Sequence, residues 1–486
     1  MKLTFAGVAT LELALVLALA ALGESSVGAQ VVEKVADLSI AGGGPGGPLD
    51  RVTQVGSNLW FTTEKGGTFD PAGTVCRYDL ATRQVTVVAS LQNSTGTSPE
   101  SSLFVIGDEG YFTTKSGGSG NAGTLAKVNL TSGAVSALYH FPQNTATART
   151  NGTQTGATPR GSLTRIGDEL WTTTSLGGIS NRGSIVKYNL TNGVTTLVTS
   201  LDGPLLGGQA FDAFSAVGTN AWYYTTFTGG DTFATPGLTL GAGVLGRMSF
   251  DPSGSPIFER LLSLPGGETQ FPSKEPTLVG TNSLYFGTTG PNSSPGSLIR
   301  YDIDTATWIN LFSFPTNTAV ALGARPGYCG LKEFRNELFF INQIGGTSNR
   351  GAVVKFNIAS NTVTKLADLE GAGAASLGSA SGFFGSGTLV EEDGRSYIYF
   401  PLTAGGANNN GTLIRIDLAA FKVRISPEPG NQVRLSWNGG YPPFTVQQST
   451  NLLGGSWSNA VENLIERTVV LPAADPAASF RVLGQP

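Results

Sequence analysis

The chain has 486 residues and a formal net charge of −4, with 13% charged residues, 40% hydrophobic residues and 67 glycines. Charge is about half its usual share and glycine about twice its share, while the apolar fraction excludes wholesale disorder. No basic run is present to neutralise phosphates, so nucleic acid is not an expected partner.

The N-terminus reads Met1-Lys2, then the apolar run "LALVLALAALG" from Leu13 to Gly23, then "ESSVGAQ". A positive start, an apolar centre and a small-residue exit near Ala29 predict a signal peptide over residues 1–30. Glu12, at the edge of the run, fits that pattern least well. The run is short for a bilayer span, and no later segment is apolar for long enough. The expectation is therefore a secreted or cell-surface protein, with the periplasm as a further location, that is not an integral membrane protein. Two cysteines in an exported chain invite a disulfide. Cys76 in "GTVCRYDL" and Cys329 in "RPGYCG" hold different positions in the repeat described next, so two unpaired thiols are expected.

One phrase recurs along the chain. "LWFTTEKGGTFDPAGTVCRYDL" starts at Leu59, "LWTTTSLGGISNRGSIVKYNL" at Leu170 and "LFFINQIGGTSNRGAVVKFNI" at Leu338. Each unit reads as four strands, exemplified by "SLTRIG", "LWTTTS", "GSIVKYNL" and "VTTLVTSL", rich in Val, Thr and aromatics and punctuated by Gly, Asn and Asp. The third strand occurs seven times, beginning at Gly73, Gly123, Gly183, Gly243, Gly296, Gly351 and Gly411. A fourth strand follows six of these. The seventh lacks one, yet "VVEKVADL" (Val31 to Leu38) stands alone ahead of the first repeat and matches "TVTKLADL" (Thr362 to Leu369). Radial repetition protects sheet edges, and four strands per unit at this period suit a propeller. The predicted fold is all-β: a seven-bladed β-propeller over residues 31–420, closed by the N-terminal strand. After Phe421, "VRLSW", "FTVQQST", "SWSNAV", "RTVVL" and "ASFRVLG" predict a small C-terminal β-sandwich over 421–486, of the fibronectin III or immunoglobulin kind, with Trp437 and Trp457 available to its core.

The pattern "LW-x-TT…GG…G-[TS]-[LIV]-x-[KR]" resembles the tandem GloVer repeats of secreted bacterial proteins, known from Verrucomicrobia and their neighbours. "LYFGTTGPNSSPGSLIRYDI" in the fifth repeat comes close to that family's unit. The resemblance covers Val31 to Leu418 and implies a propeller in an exported protein. It carries no catalytic residue to transfer. "NLWFTTEKGG" (Asn58 to Gly67) is also similar to the repeats of streptogramin lyases, but no repeat supplies the histidine those enzymes use. The tryptophan-docking repeats of quinoprotein dehydrogenases are missing.

Strand direction places the glycine loops and the inter-blade segments on one face, called the top. Aligned on Pro48, Pro99, Pro159 and Pro272, those segments bring eight charges to the channel mouth: Asp50, Arg51, Glu100, Arg160, Asp212, Lys274, Glu275 and Arg325. They are the candidate ligand-binding residues, weighed against a reading as solvated rim charges. Their mixed signs form neither a metal cage nor a phosphate cradle, and no cofactor is expected. His140, the only histidine, falls at the outer edge of the second blade, where no triad or metal site can use it. No G-x-S-x-G elbow, P-loop or EF-hand loop is present.

Two function classes follow. The first is a monomeric secreted or cell-surface binding protein with polysaccharide as its expected partner, stacking sugar rings on aromatics such as Phe69, Phe233 and Phe383, whose other expected fate is core packing. The second is a glycan-active enzyme working through paired carboxylates at the channel mouth, with Glu100 and Glu275 as the residues to substitute.

Overall fold

A computed structural model describes residues 30–145, 147, 155–231, 240–291, 294–315, 322–382, 385–392, 395–418, 421–430, 432–439, 441–449, 457–472 and 479–485. The expected signal peptide therefore lies outside the described residues, as do Phe233 and Phe383. The described elements are almost entirely β, with three single-turn 3-10 helices among them. No helix among the described residues is long and apolar enough to cross a membrane. The chain divides into two compact units. The larger comprises Lys34–Leu389 and Tyr399–Arg415, and the smaller comprises Val390–Ile398 and Ile416–Pro486 together with the residues up to Glu33.

Seven antiparallel sheets of at least four strands occupy residues 32–417. In the first, Thr53–Val55, Asn58–Thr63, Thr74–Asp79 and Val85–Ser90 form a simple meander. The same meander recurs around the third strands Thr124–Asn129, Ser184–Asn189, Val244–Phe250, Ser297–Asp302 and Ala352–Asn357. In the seventh sheet Thr388–Glu392, Arg395–Leu402 and Thr412–Asp417 are completed at the edge by Val32–Asp37, the first strand among the described residues. Leu38 N donates to Gly411 O at 2.9 Å and Asp417 N to Val31 O at 3.0 Å, which makes this pairing antiparallel.

The repeated residues account for the repeated shape. The glycine opening each third strand has φ between 80° and 107° in all seven copies. A Cβ there would fall well inside contact distance of a second-strand carbonyl, Thr63 O for Gly73 and Thr174 O for Gly183. Only glycine meets both demands. The threonines of the second strand tie it to the third: Thr63 and Thr74 hydroxyls lie 2.6 Å apart, and Thr114–Thr124 and Thr174–Ser184 hydroxyls 2.9 Å. The Gly-Gly loops close on themselves, because Asn121, Asn181, Asn349 and Asn409 accept from Gly117, Gly177, Gly345 and Gly405 N at 2.9–3.1 Å. A β-bulge falls at the same place between third and fourth strands, as at Val75/Cys76 and Ile185/Val186, and sharpens the local twist.

The core lies between consecutive sheets. Trp60, Val75 and Leu91 pack with Leu103, Phe112 and Val128 of the next repeat, and Trp171 and Ile185 with Phe214, Tyr224 and Met248. Each such side chain contributes about 1.5–3 kcal/mol on burial. First strands are stitched from one sheet to the next: Thr53 Oγ1 donates to Leu103 O and Thr277 Oγ1 to Leu331 O, both at 2.7 Å. Thr388 Oγ1, in the seventh sheet, donates to Val52 O beside the first at 2.6 Å.

In the smaller unit, Phe421–Glu428, Gln432–Gly439 and Thr468–Pro472 form one three-stranded sheet, and Tyr441–Ser449, Ser458–Leu464 and Ser479–Gln485 another. Leu435, Trp437, Phe444, Val446, Leu471 and Val482 make up its core. Trp457 is not among them; the Arg481 guanidinium lies 4.4 Å from its ring centroid.

Candidate functional site

The segments leading into the first strands carry the site. Six of them begin with a residue whose backbone is left-handed and whose N–H donates to the carbonyl just before the third-strand glycine of the preceding sheet. Gly47, Ser98, Thr158, Gln209, Phe271 and Arg325 hold this position, with φ between 51° and 67°. Their donations run to Asn410, Ala72, Ala122, Arg182, Ala242 and Pro295 O. Five of these residues precede the prolines Pro48, Pro99, Pro159, Pro272 and Pro326. From there each segment turns inward, and side chains from five different repeats converge.

Lys274 is at the centre. Its Nζ lies 2.9 Å from Asp212 Oδ2 and 3.4 Å from Asp50 Oδ1. Asp50 Oδ2 also accepts from Ser102 N at 2.9 Å and from the Ser162 hydroxyl, and the Ser102 and Ser162 hydroxyls lie 2.9 Å apart. Arg51 pairs with Glu275. Asp50, Asp212 and Lys274 are only 2%, 4% and 5% exposed, so they are not solvated rim charges. The segments descend into the interior before their first strands begin, and the charges compensate one another there.

Burial sets the protonation pattern. Desolvation pushes the Glu275 carboxyl up to about 8, with the neighbouring Asp212 charge and hydrogen bond adding to it and Arg51 opposing. Burial would raise Asp212 as well, but Lys274, a hydrogen bond from Glu275 and the Arg51 charge outweigh it and hold Asp212 well below the usual carboxylate range. Lys274 is held above its ordinary value because Asp212, Asp50 and Glu275 outweigh its desolvation. Asp212 Oδ2 and Glu275 Oε2 are both buried, and Asp212 Oδ2 meets the Lys274 ammonium at 2.9 Å. A proton retained by Glu275 and shared with Asp212 leaves two cations facing two anions.

A second group lies toward the loops. Glu100 pairs with Arg160 and, at 2.9 Å, with Lys115. These three residues line a cavity of 390 Å³ with Leu49, Glu64 and Lys65. A cavity of 330 Å³ on the first-strand side is lined by Arg51, Ser102, Phe104, Thr164 and Phe214 among others. Leu49 lines one cavity and Arg51 the other, and Asp50 lies between them in sequence. Beyond Arg160 runs a row of half-buried rings. The Arg160 guanidinium lies 4.7 Å from the Phe211 centroid. Phe211 and Phe227 are 5.4 Å apart, Phe227 and Phe271 stack at 4.8 Å and 19°, and Phe227 and Tyr328 at 6.3 Å and 29°.

Of the eight sequence candidates, Asp50, Arg51, Asp212, Lys274 and Glu275 thus form one network, buried at Asp50, Asp212 and Lys274 and half-buried at Arg51 and Glu275, and Glu100 and Arg160 a second group. Arg325 holds the left-handed position ahead of Pro326. Phe69 is 54% exposed rather than packed in the core. Sequence reasoning missed Lys115, Ser102, Ser162, Phe211, Phe227, Phe271 and Tyr328. Phe211 could have been found, because it fills in its own repeat the place of Glu100 and Arg160. His140 ends a fourth strand, is exposed, and accepts from Ser119 N at 3.3 Å through Nδ1. Cys76 and Cys329 are free and buried. Among the described residues no group of three or more His, Cys, Asp or Glu is placed to hold a metal ion.

Residues 34–238 match the family model described as the Gloeobacter/Verrucomicrobia repeat. No curated protein matches the sequence. Among solved structures the chain is similar to an ancestral GH74 enzyme (13% identity, 80% of this chain and 51% of that one, TM-score 0.51). It is also similar to an oligogalacturonate lyase from Vibrio parahaemolyticus (10% identity, 81% and 94%, TM-score 0.44). The GH74 neighbour is β-propeller-like, and at 13% identity that likeness extends to the fold alone.

Proposed function

We propose that this is an exported, monomeric binding protein that takes polysaccharide on the loop face of a closed seven-bladed propeller. The single observation that carries the binding reading is that the candidate carboxyls already have partners: Glu100 pairs with Arg160 and Lys115, Asp50 and Asp212 with Lys274, and Glu275, raised to about 8, with Arg51 and Asp212. Ring closure is supported by the N-terminal strand, which completes the seventh sheet with the bond every other fourth strand makes, and by the stitch from Thr388 to Val52. Export rests on the apolar N-terminal run. The C-terminal unit, with its two small sheets and separate core, is read as a fibronectin III-like module serving attachment at the cell surface.

The alternative is a glycan-active enzyme with Glu275 as acid and Asp212 as base, since their proton affinities diverge as such pairs require. Against it, Asp212 is 4% exposed and its charge is spent on Lys274. The two readings separate on substituting Glu100 and Glu275 by Gln, with a glycan array run beside a hydrolysis and lyase screen. Binding to glycans with no turnover supports the binder. Turnover that disappears in Glu275→Gln replaces it with the enzyme.

A further inference from the structure

We propose that the loop-side cavity and the aromatic row beside it bind an acidic saccharide, a uronate oligomer whose ring stacks on Phe271, Phe227 or Tyr328 and whose carboxylate meets Lys115 and Arg160. The proposal rests on the polysaccharide-binding reading and adds the charge class of the ligand.

Three observations carry it. The cavity hides its acids and shows its cations: the Glu100 side chain is 6% exposed against 40% for Lys115, and Glu64 26% against 53% for Lys65. With Arg160, itself 19% exposed, the lining holds three cations and two acids. A ligand there meets positive charge on a protein whose formal net charge is −4, so the local sign is not background. Next to it, through Arg160 over Phe211, lies the row of half-buried rings, with apolar area that the interior has not consumed. Rings of this kind stack on the apolar faces of sugars, and planar cations pair with carboxylates.

The third observation is Phe271 itself. The fold demands a left-handed backbone at its position, and Gly47 meets that demand in the first segment without cost. A bulky aromatic at φ 65° is an outlier that packing has to hold in place. Ser98, Thr158, Gln209 and Arg325 hold the same position in other repeats; what phenylalanine adds is a half-buried ring stacked on Phe227.

The test is titration calorimetry on the full chain with a trigalacturonate, its methyl ester, a neutral galactose trimer and sulfate. The acid is expected to bind at least about tenfold tighter than the ester, which has the same ring without the charge, and to weaken as salt shortens the Debye length to a few Å. Phe271→Gly keeps the backbone conformation and removes the ring. It and Lys115→Gln should each lose about tenfold in affinity, with melting temperature unchanged for Phe271→Gly or raised. Equal binding of acid and ester overturns the acidic class and leaves the polysaccharide reading standing. Sulfate binding as tightly as the trigalacturonate overturns the ring contact. Failure of all three saccharides overturns the polysaccharide reading too.

Discussion

Leu38 N donates to Gly411 O at 2.9 Å, joining the start of the described chain to its seventh repeat. Every other repeat makes the same bond within itself: Leu91 to Gly73, Phe141 to Gly123, Leu201 to Gly183, Leu264 to Gly243, Phe314 to Gly296 and Leu369 to Gly351, at 2.9–3.1 Å. The N-terminal strand is therefore a fourth strand moved to the other end of the gene. Deleting Val31–Leu38 exposes the edge of Thr412–Asp417 and removes the buried Leu38 side chain. The expected result is a fall in melting temperature of ten degrees or so, since a few kcal/mol is a large part of a domain's stability, together with aggregation through the open edge. An unchanged melt with a monomeric elution profile would mean that the strand is dispensable.

Gly183→Ala places a methyl against Thr174 O in a backbone region closed to alanine. It should cost about 1–3 kcal/mol or more. Gly167→Ala, where φ is 60° and no atom lies within 4 Å of the added carbon, pays only for backbone strain. Urea denaturation of both variants checks the order. If Gly167→Ala is the worse of the two, the contact with Thr174 is not what selects glycine.

Lys274→Met leaves Asp50 and Asp212 buried without their cation. The expected loss is about 3–5 kcal/mol, the usual consequence of halving a buried ion pair. Replacing the two aspartates by leucine in the same background should restore much of it, because an apolar cluster needs no compensation. Chemical denaturation of the single and triple variants decides; a loss below about 1 kcal/mol for Lys274→Met would show the network to be hydrated.

Stability should depend on pH through Glu275. Its pKa is raised by burial to about 8 in the folded chain from an ordinary 4.5, so the folded state holds a proton that the unfolded state releases. The stabilisation is fully present below about 4.5 and is lost as pH rises through about 8. Asp212 is shifted the other way, and its contribution is lost in acid. The melting temperature is expected to decline from pH 5 to pH 9 and to flatten in Glu275→Gln. The groups facing Glu275 are Arg51, Asp212, Lys274 and Lys332. A wild-type melt that is level over that range, or one whose decline persists in the variant, places the titration elsewhere.

Both thiols are 0–1% exposed, and burial pushes each up to about 12. A thiol reagent should see none in the native protein and two on denaturation without reductant. Two free thiols only after reduction would contradict the geometry.

The fold was legible because its rules are local. The glycine before each third strand satisfies a backbone demand that is repeated seven times, and the Gly-Gly loop and the Thr-Thr pair do the same within most units. The displaced strand was legible for the same reason, since "VVEKVADL" carries the outward pattern of "TVTKLADL". The site was legible only in part. Aligning the prolines put Asp50, Glu100, Arg160 and Lys274 in register, but whether they face water depends on how far each segment descends, which no local pattern encodes. Tyr328 escaped because a 3-10 turn at Pro326–Tyr328 breaks the register. Phe271 escaped because nothing in "TQFPSK" marks its backbone as left-handed.

Asp50 is flanked in sequence by Leu49, which lines one cavity, and Arg51, which lines the other, and it shares the Lys274 ammonium with Asp212. On the proposed binding reading, charges locked together in this way leave the grip on a long glycan to the loop side. Such a glycan would be held along interior stretches rather than by its end, so several copies could share one strand.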